Sequence, residues 1–219
     1  LTCFKAYDIR GEIDINIDDA IAYRIGRAVA QHFNSKSIVV AFDARKTSPS
    51  FANSVGQGIM DAGSDLISIG LAGTEEMYWA VSNFSACAGI VVTASHNPIN
   101  YNGMKIVKSS SQPLDDIKDF KAIKSLAESE NWIDIKKKGI SSDRAIEART
   151  AYVAKVLSFI NADALKPLKI VINSGNGAAG PTFAAIEQQL NYNNAQLQFV
   201  RVDHTPDSTF PNGIPNPLL

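Results

Sequence analysis

The sequence is poor in cysteine and carries almost no net charge. Its 219 residues include two cysteines, Cys3 and Cys87, which are far apart and lack metal-ligand spacing. We therefore expect reduced, at least partly buried thiols. With 21 basic and 22 acidic residues, the chain has neither the basic footprint of a nucleic-acid-binding protein nor a polybasic membrane patch. No apolar run approaches a membrane span and no leader segment is visible, so we expect a cytoplasmic protein with no nucleic-acid or membrane partner.

What is present is typical of a globular α/β protein. Hydrophobic residues make up 45% of the chain, which is long enough for one large domain or two small ones. The pattern predicts a helix over Asp18–Phe33, a strand over Ser37–Phe42, a helix over Pro49–Ala62 with Ser48 as its N-cap, and a strand over Asp65–Gly70. Helices and short buried strands alternate, as in α/β folds.

A polar stretch in the middle of the chain predicts a domain boundary. Pro113 is expected to begin a helix that runs to about Glu128. His32, near the end of an earlier helix, is expected to be a surface residue or a cation at the helix C-terminus. Residues 128–144 are polar and include three consecutive lysines, which we interpret as solvated. Residues 145–160 are rich in alanine and predict a linking helix.

A second α/β unit follows the linking helix. Strands are predicted over Leu168–Asn173 and Gln196–Val202, with a helix over Pro181–Leu190. The glycine-rich turn Ser174–Gly180 could be a dinucleotide fingerprint or a close strand-to-helix connection. Its spacing favours the structural alternative.

The residues with the most specific chemistry follow the predicted strand Gly89–Val92. Ser95 and His96 lie on the polar turn at its end, and Lys105 lies beyond the turn in a second apolar run. A serine hydroxyl becomes a nucleophile when a base, a cation or a metal activates it. The alternative is a surface hairpin with a capping serine. Asn97 could hydrogen-bond its own loop or a ligand.

The run T-A-S-H-N-P-I-N-Y-N-G-M-K over residues 93–105 resembles the phosphoserine loop of the α-D-phosphohexomutases. These enzymes move a phosphoryl group between C1 and C6 of a hexose. The resemblance implies that Ser95 carries the phosphate and, through it, binds the metal. It makes His96 and Lys105 candidate acid–base and electrostatic groups.

Three further motifs resemble the same family. A-Y-D-I-R-G implies that Tyr7 and Arg10 face the active-site cleft, and the loop D-A-R-K-T-S places an arginine, Arg45, near the phosphoserine. G-T-E-E, whose second residue is Thr74, resembles the loop of bacterial phosphomannomutases of capsule and O-antigen synthesis; its acidic residues also suit a helix N-terminus. The expected catalytic residues are Ser95, His96, Lys105 and Arg10, and the expected substrate-binding residues are Tyr7, Arg10, Arg45, Thr74 and Asn97.

The resemblance implies two consecutive α/β/α sandwich domains with mixed sheets. Domain I would span residues 1–144; residues 145–219 would form the linking helix and most of an incomplete domain II, with domains III and IV absent. The acidic D-G-D-x-D-R loop that holds Mg²⁺ would come after residue 219. The family also implies a hexose 1,6-bisphosphate activator, a hexose phosphate substrate, and a monomer or homodimer.

The expected activity is interconversion of mannose 6-phosphate and mannose 1-phosphate through a phosphoserine enzyme, feeding GDP-mannose and surface polysaccharide synthesis. We expect these 219 residues alone to be inactive as a mutase. The alternatives are a phosphoglucomutase or phosphoglucosamine mutase, and a non-catalytic phosphosugar-binding module.

Overall fold

A computed structural model describes residues 1–161, 164–192 and 197–213. The first unit contains seven described strands and four described α-helices. The strands are β1 (Ile9–Glu12), β2 (Ser37–Phe42), β3 (Asp65–Leu71), β4 (Ala88–Val92), β5 (Tyr101–Lys108), β6 (Gln112–Pro113) and β7 (Ser141–Asp143). The helices are α1 (Asp19–Phe33), α2 (Ser48–Asp61), α3 (Thr74–Asn83) and α4 (Lys121–Ser129). None of the helices in these ranges is long and apolar enough to cross a membrane.

The strands form one mixed sheet in the order β1-β5-β4-β2-β3-β7, with β6 paired to β5. The run β4-β2-β3-β7 is parallel, whereas β5 is antiparallel to β4, β1 and β6. Apolar side chains of α1, α2 and α4 pack on one face, and those of α3 pack on the other. This arrangement confirms the predicted α/β/α sandwich with a mixed sheet.

Helix α1 shows how closely local sequence can set an element. The Asp18 side chain accepts a hydrogen bond from the amide of Ile21 at 2.7 Å and so caps the helix N-terminus. Ala22, Ile25 and Val29 are spaced to lie on one face, and all three are fully buried. The predicted helix and its beginning are confirmed.

Two predicted helix starts are wrong. Ser48 is the first residue of α2 rather than its N-cap, and its hydroxyl donates to Asp43 Oδ1 at 2.6 Å. Pro113 pairs with Val107 in β6, where an edge strand tolerates the missing N–H. The next helix begins after Asp115, whose carboxylate accepts the amides of two following residues and caps a π-helical turn over 116–120 that leads into α4.

His32 is in the last turn of α1, as one of the two predicted alternatives requires, and it lies against a partner instead of at the open surface. Its Nε2 is 3.1 Å from Oδ1 of Asp119, and its side chain is 19% exposed. Asp119 also accepts hydrogen bonds from Lys108 Nζ and from the Asp115 amide, each at 2.9 Å. Burial alone would raise the pKa of Asp119, but these hydrogen bonds together lower it to about 2. The prediction missed this contact because Asp119 is 87 residues away in sequence.

The polar stretch before the linking helix contains a strand that the pattern did not predict. Lys136, Lys137 and Lys138 are exposed, in agreement with the solvated interpretation. Directly after them, β7 joins the sheet as the parallel neighbour of β3. Three polar residues carry no hydrophobic alternation, so pairing to β3 rather than local pattern forms this strand. The boundary at residue 144 stays a prediction.

The second unit consists of α5 (Ala145–Leu157), β8 (Leu168–Asn173), α6 (Ala179–Tyr192) and β9 (Leu197–Val202). β8 and β9 pair in parallel, and α6 packs on them through the rings of Phe183 and Phe199, whose centroids are 5.0 Å apart. A Cβ on Gly180 would lie 1.8 Å from the carbonyl oxygen of His204, so the glycine-rich connection is tightly packed, as predicted. Gln196 and the tail after residue 213 lie outside the described residues.

Candidate active site

Three loops meet at the carboxyl edge of the parallel strands. The Asp43 amide, just after β2, donates to Val92 O at the end of β4 at 3.0 Å. The Ala72 amide, just after β3, donates to Phe42 O at the same distance. In open α/β sheets, binding sites form at this edge because adjacent strand ends bring different loops together.

The loop after β4 displays Ser95 to solvent. Ser95 has φ 54°, in the left-handed region that a non-glycine residue seldom adopts, and both Ser95 and His96 are exposed. The Ser95 amide donates to Thr93 Oγ1 at 3.0 Å, and the Asn97 amide donates to Ala94 O at 3.0 Å. The Ser95 hydroxyl lies 3.3 Å from His96 Nδ1. The predicted nucleophile and its predicted base are therefore neighbours in space as well as in sequence.

The buried side chain of Arg45 binds the backbone of this loop. It is 2% exposed, and its guanidinium donates to the carbonyls of Pro98 at 2.8 Å, Tyr101 at 3.1 Å, Ser95 at 3.0 Å and Asn97 at 2.6 Å. A planar guanidinium suits such a set, because its donors are fixed in a fork. The geometry gives Arg45 the task of shaping the loop; its contact with substrate stays a prediction.

Asp43 in turn supports Arg45. Its Oδ1 accepts the Arg45 amide at 3.0 Å, and its Oδ2 is 3.5 Å from Arg45 Nε. Burial lowers the pKa of Arg45, while the Asp43 carboxylate opposes that shift by stabilising the charged form. The sequence motif pointed to Arg45 but could not indicate that its main partners are backbone carbonyls.

Asn102 and Gly103 join the loop to its neighbours. The buried Asn102 amide donates to Thr47 Oγ1 at 2.9 Å and to Ser48 Oγ at 3.0 Å, and so ties β5 to the start of α2. A Cβ on Gly103 would lie 2.0 Å from the carbonyl oxygen of Ile9. Glycine therefore lets β1 approach β5 closely. Sequence reasoning treated both residues as part of a motif and assigned neither of these tasks.

The close approach of β1 brings Arg10 to the loop. Arg10 lies opposite Gly103 in the strand register, and its Nη1 donates to Asn97 Oδ1. Its Nη2 donates to Asp8 Oδ2 at 2.6 Å. Residues predicted from two distant motifs are thus directly bonded, which leaves a half-buried positive charge beside the serine loop.

A cleft of about 210 Å³ continues from this cluster along the outer edge of β5. It occupies the gap between the end of β5 that pairs with β1 and the end that pairs with β6. Tyr7, Lys105, Tyr78 and Asp8 are among its lining residues, and Asp8 connects it to Arg10. Tyr7 is 92% exposed, so its ring is accessible from solvent.

Thr74 begins α3, at the end of β3. The Glu76 carboxylate accepts the Gly73 amide at 3.2 Å, in agreement with the predicted helix-terminus chemistry. No hydrogen bond among the described residues joins Thr74 to the Ser95 loop. The expected role of Thr74 in substrate binding stays a prediction.

The residues present do not form a magnesium site by themselves. Within the described ranges, no group of three or more histidine, cysteine, aspartate or glutamate side chains could hold a metal ion. Mg²⁺ requires an octahedral set of oxygen ligands, and a phosphate on Ser95 would supply a minor part of it. Mg²⁺ binding remains an expectation from the resemblance.

Two family models match most of the chain. Residues 2–133 match phosphoglucomutase/phosphomannomutase, alpha/beta/alpha domain I, and residues 150–219 match alpha/beta/alpha domain II of the same family. The chain belongs to the phosphoglucomutase/phosphomannomutase family. Its fold class, and the family expected from the Ser95 loop, are thereby confirmed.

Individual relatives give the same result. A phosphomannomutase of Salmonella montevideo is 45% identical over 219 residues, and one of Escherichia coli strain K12 is 44% identical; each match covers 100% of this chain and 48% of the relative. A crystal structure of a phosphoglucomutase/phosphomannomutase family protein from Burkholderia thailandensis superposes with a TM-score of 0.85 at 28% identity, covering 100% of this chain and 47% of that one. The chain spans about half the length of these relatives.

Proposed function

We propose that this chain supplies the phosphoserine-bearing part of a phosphomannomutase, with Ser95 as the residue that carries the phosphoryl group. The observation that carries the proposal is the exposed Ser95 hydroxyl, held outward by a left-handed backbone on a loop whose carbonyls are bound by Arg45. A capping serine would instead direct its hydroxyl to a backbone amide. The 44–45% identity to proteins named phosphomannomutase supports the same activity.

The proposed reaction has two phosphoryl transfers. In the first, a hydroxyl of a hexose monophosphate attacks the phosphorus on Ser95. The bond between phosphorus and Ser95 Oγ breaks, a bond to the sugar oxygen forms, and a hexose 1,6-bisphosphate results. After the sugar has turned over, Ser95 Oγ attacks its other phosphate, and the product monophosphate leaves.

The chain's own residues supply proton transfer and positive potential. His96 Nδ1 lies 3.3 Å from Ser95 Oγ, and we propose that it returns a proton to the serine oxygen when that oxygen leaves and removes the proton when serine attacks. Arg10 lies beside the loop and stabilises charge on the transferring group. Lys105 and Tyr7, in the adjoining cleft, are proposed to bind the sugar phosphate, with Lys105 as a second candidate for proton transfer. Thr74 and Asn97 are the further proposed substrate-binding residues.

The finer expectations remain part of this proposal. Mannose phosphate is the preferred substrate because the relatives with the highest identity given above are named phosphomannomutase. Synthesis of GDP-mannose in the cytoplasm, activation by a hexose 1,6-bisphosphate, a requirement for Mg²⁺, and a monomeric or homodimeric assembly follow from the family resemblance. The 219 residues alone are proposed to be inactive, since the metal ligands are not among the described residues.

A chimeric protein tests the proposal. The chain is joined to the remaining half of the Escherichia coli phosphomannomutase, incubated with glucose 1,6-bisphosphate, and analysed by phosphosite mapping before and after excess mannose 1-phosphate. We expect phosphate on Ser95 that is lost to the sugar. The matched control, Ser95→Ala, should fold with an unchanged circular dichroism spectrum and have no mutase activity.

Two results would overturn it. Near-normal mutase activity of Ser95→Ala would remove Ser95 from the reaction. A folded chimera that binds mannose 6-phosphate but never carries phosphate on Ser95 would favour the binding-module alternative. Faster turnover of glucose or glucosamine phosphate than of mannose phosphate would correct the substrate, and turnover by the 219 residues alone would contradict their proposed inactivity.

A further inference from the structure

A buried carboxylate, that of Glu76, lies where the first and second units meet. Its side chain is 5% exposed, although it belongs to the first turn of α3. An acidic residue at this position interacts favourably with the helix dipole even when it is fully solvated. Burial adds a desolvation cost that the dipole alone does not offset, so a buried Glu76 needs partners of its own.

The partners of Glu76 come from the N-terminus of α3, from α5 and from α6. The Gly73 amide, at the start of α3, donates to Oε1 at 3.2 Å, and Arg149 Nε, on α5, is 3.4 Å from Oε2. Thr182, on α6, donates its hydroxyl to Oε1. Arg149 also donates from Nη2 to Leu71 O at the end of β3. One carboxylate thereby connects α3 of the first unit with α5 and α6 of the second.

Helix α5 makes more contacts with the first unit than residues 164–213 do. Helix α5 packs on the first unit. Ala148 is 5% exposed and belongs to the hydrophobic cluster on the α3 face of the first sheet. The rings of Trp79 and Tyr152 lie edge-to-face, with their centroids 5.8 Å apart. Within the described ranges, the bond from Thr182 to Glu76 is the one hydrogen bond that runs directly from residues 164–213 to residues 1–144. Thr182 itself is 7% exposed, so water does not compete freely for this contact.

We propose that Glu76 is the joint that fixes the orientation of the second unit relative to the first, with Thr182 and Arg149 as its partners. A hydrogen bond to a buried charge is among the stronger single contacts in a protein, and its direction restricts rotation as well as separation. Thr74 lies two residues before Glu76 on the same helix. The joint therefore holds one of the proposed substrate-binding residues in a fixed relation to the second unit. The assignment goes beyond the proposed reaction and does not depend on it.

Distances between spin labels test the joint in the 219-residue chain. Labels are placed at Asn53→Cys on α2 and Lys169→Cys on β8, both exposed, with Cys87→Ser in every sample. Thr182→Val keeps the shape of the side chain and removes the hydroxyl, whereas Thr182→Ser keeps the hydroxyl. We expect one narrow distance distribution for the parent and for Thr182→Ser. Thr182→Val should increase the population at other distances roughly tenfold, as the loss of one hydrogen bond to a charged group implies.

A second variant separates orientation from stability. Glu76→Gln can still accept the Gly73 amide but has no charge for Arg149, so we expect a broadened distribution with α3 still formed by circular dichroism. A Thr182→Val distribution identical to that of the parent would overturn the proposal. So would broadening in Thr182→Ser as large as in Thr182→Val, since Thr182→Ser keeps the hydroxyl and loses only the methyl group.

Discussion

The two units of the chain differ in how fully their sheets are covered. In the first, every residue of β4 is buried, with helices on both faces. In the second, α6 covers one face of β8 and β9, while Val171 and Val200 remain 65% and 37% exposed. The candidate active site stands on the first kind of sheet. A loop that must hold a left-handed serine in place needs strands that cannot shift beneath it.

The largest expected effect is a core truncation in the first sheet. Ile90 lies on β4, an interior strand of the main sheet, and is fully buried. Ile90→Ala should lower the free energy of unfolding by about 3 kcal/mol, because it removes packed methyl groups and leaves a cavity. Urea unfolding monitored by circular dichroism measures the change. A loss below about 1 kcal/mol would mean that side chains around β4 can move to fill the cavity. The first sheet would then be less rigidly packed than its burial indicates.

Arginine replacement should also distinguish the units. Arg45→Lys keeps the charge but cannot satisfy four carbonyls in a fork, so we expect a loss of roughly 2–3 kcal/mol and faster amide exchange over residues 93–98.

The matched control is Arg201→Lys in the second unit. Arg201 is 45% exposed and pairs with Glu187, so its replacement should change stability by no more than about 0.5 kcal/mol. Equal losses in the two variants, measured by urea unfolding, would contradict the bracing role of Arg45.

Acid titration gives a third, smaller contrast. The folded-state pKa of Asp119 is about 2, below its ordinary value of 3.8, so its carboxylate stabilises the fold above about pH 4 and loses this effect as the pH falls towards 2. Asp119→Asn should therefore cost roughly 2 kcal/mol at pH 7 and flatten the stability curve between pH 4 and pH 2.

Asp207→Asn is the control in the second unit. The hydroxyl and amide of Thr209 lower the pKa of Asp207, but this residue is only partly buried and its partner is two residues away, so its replacement should change the acid limb of the stability curve less than Asp119→Asn does. An acid limb in Asp119→Asn as steep as in the parent would assign the acid sensitivity to other groups.

The smallest effect is expected on the uncovered face of the second sheet. Val171→Thr exchanges one β-branched side chain for another at a position that is 65% exposed. The free energy of unfolding should therefore change by less than about 0.5 kcal/mol. A larger loss of stability, measured by thermal unfolding, would show that this face is covered in solution. The sheets of the two units would then be more alike in how fully they are covered.

Much of the first unit could be predicted because local rules determine it. The spacing of Ile25 and Val29 and the cap at Asp18 are sufficient for α1, and the apolar run Gly89–Val92 is sufficient for β4. The site residues came from motif resemblance, which brought Arg10 and Ser95 together before any contact was known. In the structure, Arg10 does reach the loop, through Asn97.

What could not be predicted depends on pairs that are distant in sequence. β7 forms because β3 is beside it, His32 is mostly covered because it lies against Asp119, and Ser48 donates its hydroxyl to Asp43 rather than capping the helix. In each case the local sequence allowed an exposed or capping role. Glu76 is the extreme case, since its partner Thr182 is 106 residues away.

The backbone at Ser95 restricts which hydroxyl amino acid the loop can carry. Threonine offers the same oxygen to a phosphoryl donor, but its branched Cβ is strongly disfavoured at φ 54°. A threonine at position 95 would favour an extended backbone and would move the carbonyl of that residue away from Arg45. The loop thus selects serine through its shape, before any substrate arrives.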